Sequence, residues 1–309
     1  MWLKIGMDYK KIFKNQQLRF SILKALSFVS DSTMLSWQYR IKTGRKLNLK
    51  NPIRYTEKIQ LYKMYYRNPD LPICVDKYEV RSYVSKKGLS HILNILYGVY
   101  DVAEDINFKD LPDRFVIKTT DGGGGQNILM CHQKAELDIP KTILDVNSWL
   151  NKKDIDPGRE WAYTRMKKSR IIVEKLLEDP EKPEAGIQDY KFFCFSGKPY
   201  MICVDSDRFI GHKRNIYDLN WNKLNIVFND YPLTDMVDEK PDNYEEMLSI
   251  VRKLSEDFPH VRVDLYDIGG KIIFGELTFY PSSGYCHFVP DNFDYILGNQ
   301  FDISSFFKK

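Results

Sequence analysis

The chain has 309 residues, 43% of them hydrophobic and 28% charged, with a net charge of +4, the balance of an ordinary globular protein large enough for two or three domains or one composite one. No window approaches the run of about 18 apolar residues that a spanning helix needs, and the N-terminus lacks the apolar core and cleavage site of a secretion signal, so a cytosolic protein is expected. The five cysteines (Cys74, Cys131, Cys194, Cys203 and Cys286) form no C-x-x-C pair, which argues for core thiols and against a zinc site or a disulfide framework.

Residues 1–50 hold eleven Lys or Arg against two Asp, a net +9, which leaves −5 for the remainder. Trp2, Ile5, Met7, Tyr9, Ile12, Phe13, Phe20, Ile22, Leu23, Leu26 and Phe28 are interleaved with this charge. The segment reads as a helical extension that either lies on an anionic membrane face or packs on the body with a solvated basic side. No nucleic-acid motif accompanies the charge. Residues 76–87 predict a helix with Asp76 as N-cap and Gly88 as the stop. Residues 91–100 turn strand-like. Next come Phe115-Val116-Ile117-Lys118, then Thr119-Thr120-Asp121 and four glycines, Gly122, Gly123, Gly124 and Gly125, and then a second apolar run with no helix-start signal.

This is strand, glycine flap, strand. A P-loop or a dinucleotide fingerprint would open a helix after its glycines, and here Lys118 lies on the strand before them. The flap is either a closing cover whose amides bind a polyanion or a plain hairpin tip. Between 132 and 165 helices are expected around Trp149 and Trp161. Strands follow at 171–177, 190–195 and 199–204, the last two joined by Ser196-Gly197-Lys198. Tyr244, Met247, Leu248, Val251, Leu254 and Phe258 at helical spacing predict an amphipathic helix over 242–257, ended by Pro259. A second hairpin pairs 261–266 with 271–278. Helices among antiparallel pairs indicate an α+β or mixed α/β chain, not a doubly wound parallel sheet.

Alternation puts Arg262 and Asp264 on one face of that hairpin, and Glu276 with Thr278 on one face of its second strand. Two carboxylates with few other ligands suit Mg²⁺, which takes the rest of its shell from water and phosphates. A cross-strand ion pair of Arg262 with the acids fits the same residues.

Taken together, a strand lysine under a glycine flap and a later strand pair bearing Arg, Asp and Glu resemble the ATP-grasp superfamily over roughly residues 50–290. The stretch Asn51-Pro52-Ile53-Arg54-Tyr55-Thr56-Glu57-Lys58-Ile59-Gln60, the Thr-Asp-Gly-Gly-Gly-Gly flap and Glu276-Leu277-Thr278-Phe279-Tyr280-Pro281-Ser282-Ser283-Gly284 resemble its TupA-like branch, found among bacterial capsule and cell-wall polysaccharide genes. The resemblance implies an α+β fold of two lobes gripping ATP between antiparallel sheets. It divides the chain into a basic helical extension (1–50), an N-terminal subdomain (51–112), a flap-bearing lid (113–177) and a catalytic subdomain (178–309).

It further implies that Lys77 and Lys118 contact the ATP phosphates under Gly122 to Gly125. Glu174, Lys175 and Leu176 form the hinge that reads adenine, Asp189 reaches the ribose, and Lys191 or Lys213 adds phosphate contacts. Asp264 and Glu276 hold Mg²⁺, with Thr278 where the superfamily usually has Asn. The implied chemistry is phosphorylation of a carboxylate to an acyl phosphate, attacked by an amine, with Arg262 stabilising the oxyanion and Lys118 the moving phosphoryl group. The implied product is an amide of a uronic acid with an amino acid or amine, and Asp205, Arg208, His212 and Arg214 could face the acceptor. Asp205-Ser206-Asp207 also resembles the D-x-D of nucleotide-sugar transferases, which is the rival reading. Thr278 leaves room for a third, an inactive ATP-grasp scaffold. A protein kinase is excluded by the absence of its H-R-D and D-F-G motifs.

Overall fold

The computed structural model describes residues 22–23, 25–123, 125, 127–150 and 158–307. Most of the expected N-terminal helical stretch, and Gly124 of the flap, lie outside the described residues.

Helix α1 (Asp31–Thr43) starts at Ser30, whose hydroxyl accepts from the Thr33 amide at 3.4 Å, and closes on Gly44 in the left-handed region (φ 73°). Leu35 and Tyr39 pack with Leu47 in a small core of their own. Helix α2 (Tyr55–Tyr65) is started by a chain of side-chain caps. Glu57 reaches back to accept from the amides of Ile53 and Arg54 at 3.0 and 3.1 Å. Short helices α3 (Leu71–Val75) and α4 (Val80–Lys86) follow. Asp76 accepts from the amides of Tyr78 and Glu79 at 2.8 and 2.9 Å, so it caps the turn that leads into α4, and the regular helix begins at Val80, later than the 76–87 the sequence predicts.

A four-stranded antiparallel sheet comes next, in the order β1 (Leu96–Tyr100), β4 (Ile171–Lys175), β2 (Phe115–Thr119), β3 (Ile128–Cys131). Helices α5 (Ile139–Leu150) and α6 (Trp161–Thr164) lie between β3 and β4 in the chain. One face of this sheet, Phe115 and Ile117 with Ile171 and Val173, packs on Ala103, Ile106, Phe108, Leu111 and Val146. So β1 and residues 103–111, which the sequence reading assigned to the preceding subdomain, pack with the lid. The alternate positions, Val116, Lys118, Ile172 and Glu174, form the sheet's other face.

The larger sheet has six antiparallel strands in the order β11-β10-β5-β6-β7-β8. These are β5 (Asp189–Phe195), β6 (Lys198–Ser206), β7 (Lys213–Tyr217), β8 (Lys223–Leu224), β10 (His260–Ile268) and β11 (Lys271–Thr278), while β9 (Val227–Phe228) pairs apart with β12 (Phe288–Val289). The β5–β6 turn takes Ser196 and Gly197 at φ 48° and 77°, the double left-handed geometry of a tight hairpin. Helix α7 (Tyr244–Ser255) packs on β10, β5 and β6, and its Met247, Leu248, Val251 and Leu254 are buried. Tyr55 and Phe301 cover one end of the opposite face around His260, Phe193 and Phe195. The uncovered remainder of that face carries the charged residues.

The last helix, α8 (Phe293–Gln300), locks onto α2 through the motif that resembles the TupA-like branch. Asp294 accepts from the Thr56 amide at 3.0 Å and its hydroxyl at 2.8 Å, and Arg54 pairs with Asp291 at 2.8 Å and Asp294 at 3.2 Å. Lys58 Nζ donates to the carbonyls of Gly298 and Phe301 at 2.7 and 2.8 Å, closing the C-terminal end of α8. The motif is therefore a staple between two helices. Gly298 is the contact point: a Cβ there would stand 2.1 Å from the Ile53 carbonyl oxygen and 2.9 Å from the Tyr55 nitrogen. Gly298→Ala would gain about 1 kcal/mol of helix propensity, but backbone cannot step aside as a side chain can, and overpacking costs up to about 3 kcal/mol. A net loss of about 2 kcal/mol is expected by urea denaturation. Unchanged stability would show that α8 does not sit this tightly on α2.

Candidate ATP and metal site

Lys118 and Glu174 lie diagonally on neighbouring strands of the lid sheet, and Lys118 Nζ meets Glu174 Oε2 at 2.7 Å. Arg81 of α4 takes the other oxygen at 3.2 Å and donates to the Asn94 carbonyl at 2.9 Å. The buried Glu174 carboxylate is thus shared by two cations. Next to it on the strand, Lys175 has both backbone groups engaged: its amide donates to the Ile95 carbonyl and its carbonyl accepts from Asn94, each at 2.9 Å. Of the expected hinge trio, Lys175 and Leu176 line a cavity of about 350 Å³ together with Leu177, Ile268 and Ile273. A second cavity of the same volume lies against Lys175 and Leu177 on the side of residues 91–95.

Lys77 is tied to the flap. Its amide donates to the Thr120 carbonyl at 3.0 Å and its Nζ to the Gly122 carbonyl. A Cβ at Gly123 or Gly125 would meet nothing within 4 Å, and Gly125 has φ 75°. Packing does not require these glycines, which leaves backbone freedom and close approach of another group as the physical reasons for them.

On the large sheet, the register sets Arg262 opposite Thr278 and Asp264 opposite Glu276, with an irregularity just beyond, between Asp264 and Leu265. Gly275 fills this spot, where a Cβ would come within 3.0 Å of the Asp264 carbonyl oxygen. Arg262 forks onto Asp264 at 2.7 and 2.5 Å, and reaches Glu276 at 2.9 Å and the Thr278 hydroxyl at 3.0 Å. Thr278 in turn donates to Glu276 at 2.8 Å. The convergence expected from alternation is present, in the form of the cross-strand ion pair.

Lys191, opposite Asp264 on β5, has its Nζ on Asp189, 3.4 Å from Asp205 and 3.6 Å from Asp264. Asp189 Oδ1 is buried and has no hydrogen-bond partner. Asp205 is held by Arg214 in a two-pronged pair at 2.5 and 2.7 Å, with His212 at 3.4 Å. Lys213 is not brought in. It pairs with Asp207 at 2.7 Å, and since its neighbour Arg214 points to the Asp205 face, alternation turns Lys213 to the other. Arg208 is half exposed, 4.0 Å from Asp189.

The electrostatics favour an ionised site. Burial works against charge on Glu276, yet Arg262, Lys77, the Thr278 hydroxyl and Lys191 hold its pKa down at about 2. Burial likewise opposes charge on Asp205, and its hydrogen bonds to Arg214 and the nearby Lys191 ammonium hold it well below the usual carboxylate range. Burial pulls Lys77 and Lys191 below the ordinary lysine value, against the pull of Glu276 on the first and of Asp264 on the second. Lys77 and Glu276 each bear on the other's charge.

These residues fit Mg²⁺-ATP in kind. Asp264 and Glu276 are hard oxygen donors, Lys77 and Lys118 are cations beside a flap with room in it, and the unpartnered Asp189 Oδ1 awaits donors such as ribose hydroxyls. Among the described residues no group of three or more His, Cys, Asp or Glu could hold a metal by itself, so an ion at Asp264 and Glu276 would complete its shell with Thr278, water and phosphate oxygens.

The family model described as TupA-like ATPgrasp matches residues 57–302. The chain belongs to the TupA-like ATP-grasp family. Its two antiparallel sheets are the two lobes of that fold. Similar solved structures include a D-alanine–D-alanine ligase from Bacillus anthracis, at 18% identity over 67% of this chain and 57% of that one, with a TM-score of 0.41. An L-amino acid ligase from Bacillus licheniformis matches at 12% identity over 97% and 66%, with a TM-score of 0.44. An N5-carboxyaminoimidazole synthetase from Staphylococcus aureus, complexed with ADP, matches at 10% over 67% and 44%, with a TM-score of 0.38. The chain spans a little over half the length of the D-alanine–D-alanine ligases it matches. Curated proteins gave no match.

Two residues that the structure pairs with the candidate acids were given no such role from the sequence. Arg81 was read only as part of a helix. Arg214 was read as facing an acceptor, whereas it neutralises Asp205. No local signal marked Arg214, which lies between Lys213 and Asn215 on β7, and its partner across the sheet depends on the β6–β7 register.

Proposed function

We propose that this protein is an ATP- and Mg²⁺-dependent carboxylate–amine ligase acting in the cytoplasm on surface or capsular polysaccharide precursors, joining a uronic acid carboxylate to an amino acid or amine. The supporting observation is geometric: Asp264 and Glu276 are gathered with Arg262 on one face of the large sheet, and Lys77, bonded to the flap at Gly122, bears on the charge of Glu276. Bound Mg²⁺-ATP supplies a phosphoryl group that makes the substrate carboxylate an acyl phosphate, from which the amine releases inorganic phosphate. Lys77 and Lys118 offset the charge of that group, and Asp264 and Glu276 hold the metal. Arg262, already aimed between these acids, stabilises the oxyanion formed as the amine attacks. Leu176, Ile268 and Ile273 offer an apolar wall for the base, and Asp189 a ribose acceptor. The polysaccharide context and the substrate pair rest on the family resemblance alone.

The test is phosphate release from ATP and Mg²⁺ across a panel of uronic acids and amines. Release that needs both an acid and an amine is expected, with one ¹⁸O passing from labelled carboxylate into the phosphate. Hydrolysis indifferent to the acid would contradict the ligase reading. A non-enzymatic scaffold is the second reading, because the Thr278 hydroxyl is already engaged by Arg262 and Glu276. Mg²⁺-ATP binding with no turnover on any pair would favour it. The sugar-transferase reading has less support, since the two acids of the D-x-D go to different partners, Asp205 to Arg214 and Asp207 to Lys213.

A further inference from the structure

The outward side of α1 is apolar where a helix on a soluble surface is ordinarily polar. Trp37 is 50% exposed and Ile41, one turn on, 45%, while Met34, Leu35, Gln38 and Tyr39 bury the inward side. Phe28, in the turn that leads into the helix, is 83% exposed. Single exposed apolar residues need no explanation, but aromatic and β-branched side chains aligned on one helix are a different matter. The helix is firmly set: Tyr39 shares a hydrogen bond with Thr56 at 2.8 Å and Tyr285 donates to Gln38 at 2.7 Å, so the exposed side is a fixed platform.

Charge supplies the partner. Residues 25–50 hold Arg40, Lys42, Arg45, Lys46 and Lys50 against one carboxylate, Asp31, and Asp31 is neutralised by Arg159 at 3.0 Å. Arg40 lies on the exposed side with Trp37 and Ile41, and Lys46 and Lys50 are exposed just beyond the helix. Six further cations, Lys4, Lys10, Lys11, Lys14, Arg19 and Lys24, precede this face in the chain against one acid, Asp8. Among the described residues no helix is long and apolar enough to cross a membrane.

We propose that the Trp37–Ile41 side of α1, with Phe28 and the flanking Arg40, Lys46 and Lys50, docks this protein on an anionic lipid surface. Trp and Phe enter the headgroup boundary while the cations meet the lipid phosphates. The docking is peripheral and salt-sensitive. It does not depend on the ligase reading, because every group invoked lies away from the charged face of the large sheet.

The experiment is co-sedimentation of the full chain with vesicles of phosphatidylcholine alone and with about a third phosphatidylglycerol, at about 0.1 and 0.5 M salt. Binding to the anionic vesicles that falls at the higher salt is expected. The double substitution Trp37→Ser, Ile41→Ser should weaken it at least about tenfold, with the melting temperature kept because both side chains are exposed. Arg40→Glu with Lys46→Glu should weaken it as well and flatten its salt dependence. Equal partition to neutral vesicles, absence of binding, or a Trp37→Ser, Ile41→Ser variant that binds like the wild type would each overturn the proposal. The last result would place any membrane contact in residues 1–21.

Discussion

Lys118→Ala is expected to reduce ATP turnover by about 10²- to 10³-fold, the cost of removing one well-placed donor from developing charge, about 3 to 4 kcal/mol. The fold should survive it. Glu174 would lose its 2.7 Å partner but keep Arg81 at 3.2 Å, so no bare carboxylate is left buried. A loss of about 1 kcal/mol in stability is expected, far less than would explain the fall in turnover. Lys213→Ala provides the contrast. The family resemblance implied Lys213, as the alternative to Lys191, for a phosphate contact, whereas β7 turns it away toward Asp207. Turnover within about twofold of the wild type is expected for it. Steady-state phosphate release, with circular dichroism to confirm folding, decides both. Equal losses in the two variants would contradict the site.

Arg214→Ala should have the largest effect on stability, about 3 kcal/mol, or roughly 6–10 °C in melting temperature. Its guanidinium is the two-pronged partner of a carboxylate that is 3% exposed, and it also stacks over Tyr231 at 4.2 Å and Phe228 at 5.0 Å. Lys191 and His212 remain within 3.4 Å of Asp205, which keeps the cost near the lower end of the range for a broken buried pair. Asp207→Ala, which removes an exposed pair with Lys213 and puts Ala at a left-handed φ of 52°, should cost about 1 kcal/mol. A D-x-D metal site would need Asp205 and Asp207 alike, so comparable damage to activity from Asp205→Asn and Asp207→Asn would restore the transferase reading. Calorimetric melting of Arg214→Ala and Asp207→Ala beside the wild type gives the stability result.

Periodicity made much of this fold legible. The Lys118 hairpin, the 261–278 hairpin and the helix from Tyr244 were readable because alternation and helical spacing are local, and local pattern survives into the structure. The same alternation correctly gathered Arg262, Asp264, Glu276 and Thr278. What it could not give was register across distant strands. Lys191 meeting Asp189, Asp205 and Asp264 depends on how β5 lies between β6 and β10, and 73 residues separate Lys191 from Asp264. The lid had the same difficulty: β1 pairs with β4, across the whole flap and α5, so a reading along the chain separated β1 from its sheet. Recognition and role also parted company. Arg54, Thr56 and Lys58 helped to signal the family, but they act as the α2–α8 staple, well outside the charged face.

The most direct measurement is calorimetric titration of the full chain with a non-hydrolysable ATP analogue, with and without Mg²⁺, for the wild type, Lys118→Ala and Glu276→Gln. Binding that requires Mg²⁺, and that is weakened at least about tenfold in both variants, is the expected result. Binding that ignores Mg²⁺ and both substitutions, or no binding at all, would contradict an ATP site formed between the flap and the Asp264–Glu276 pair.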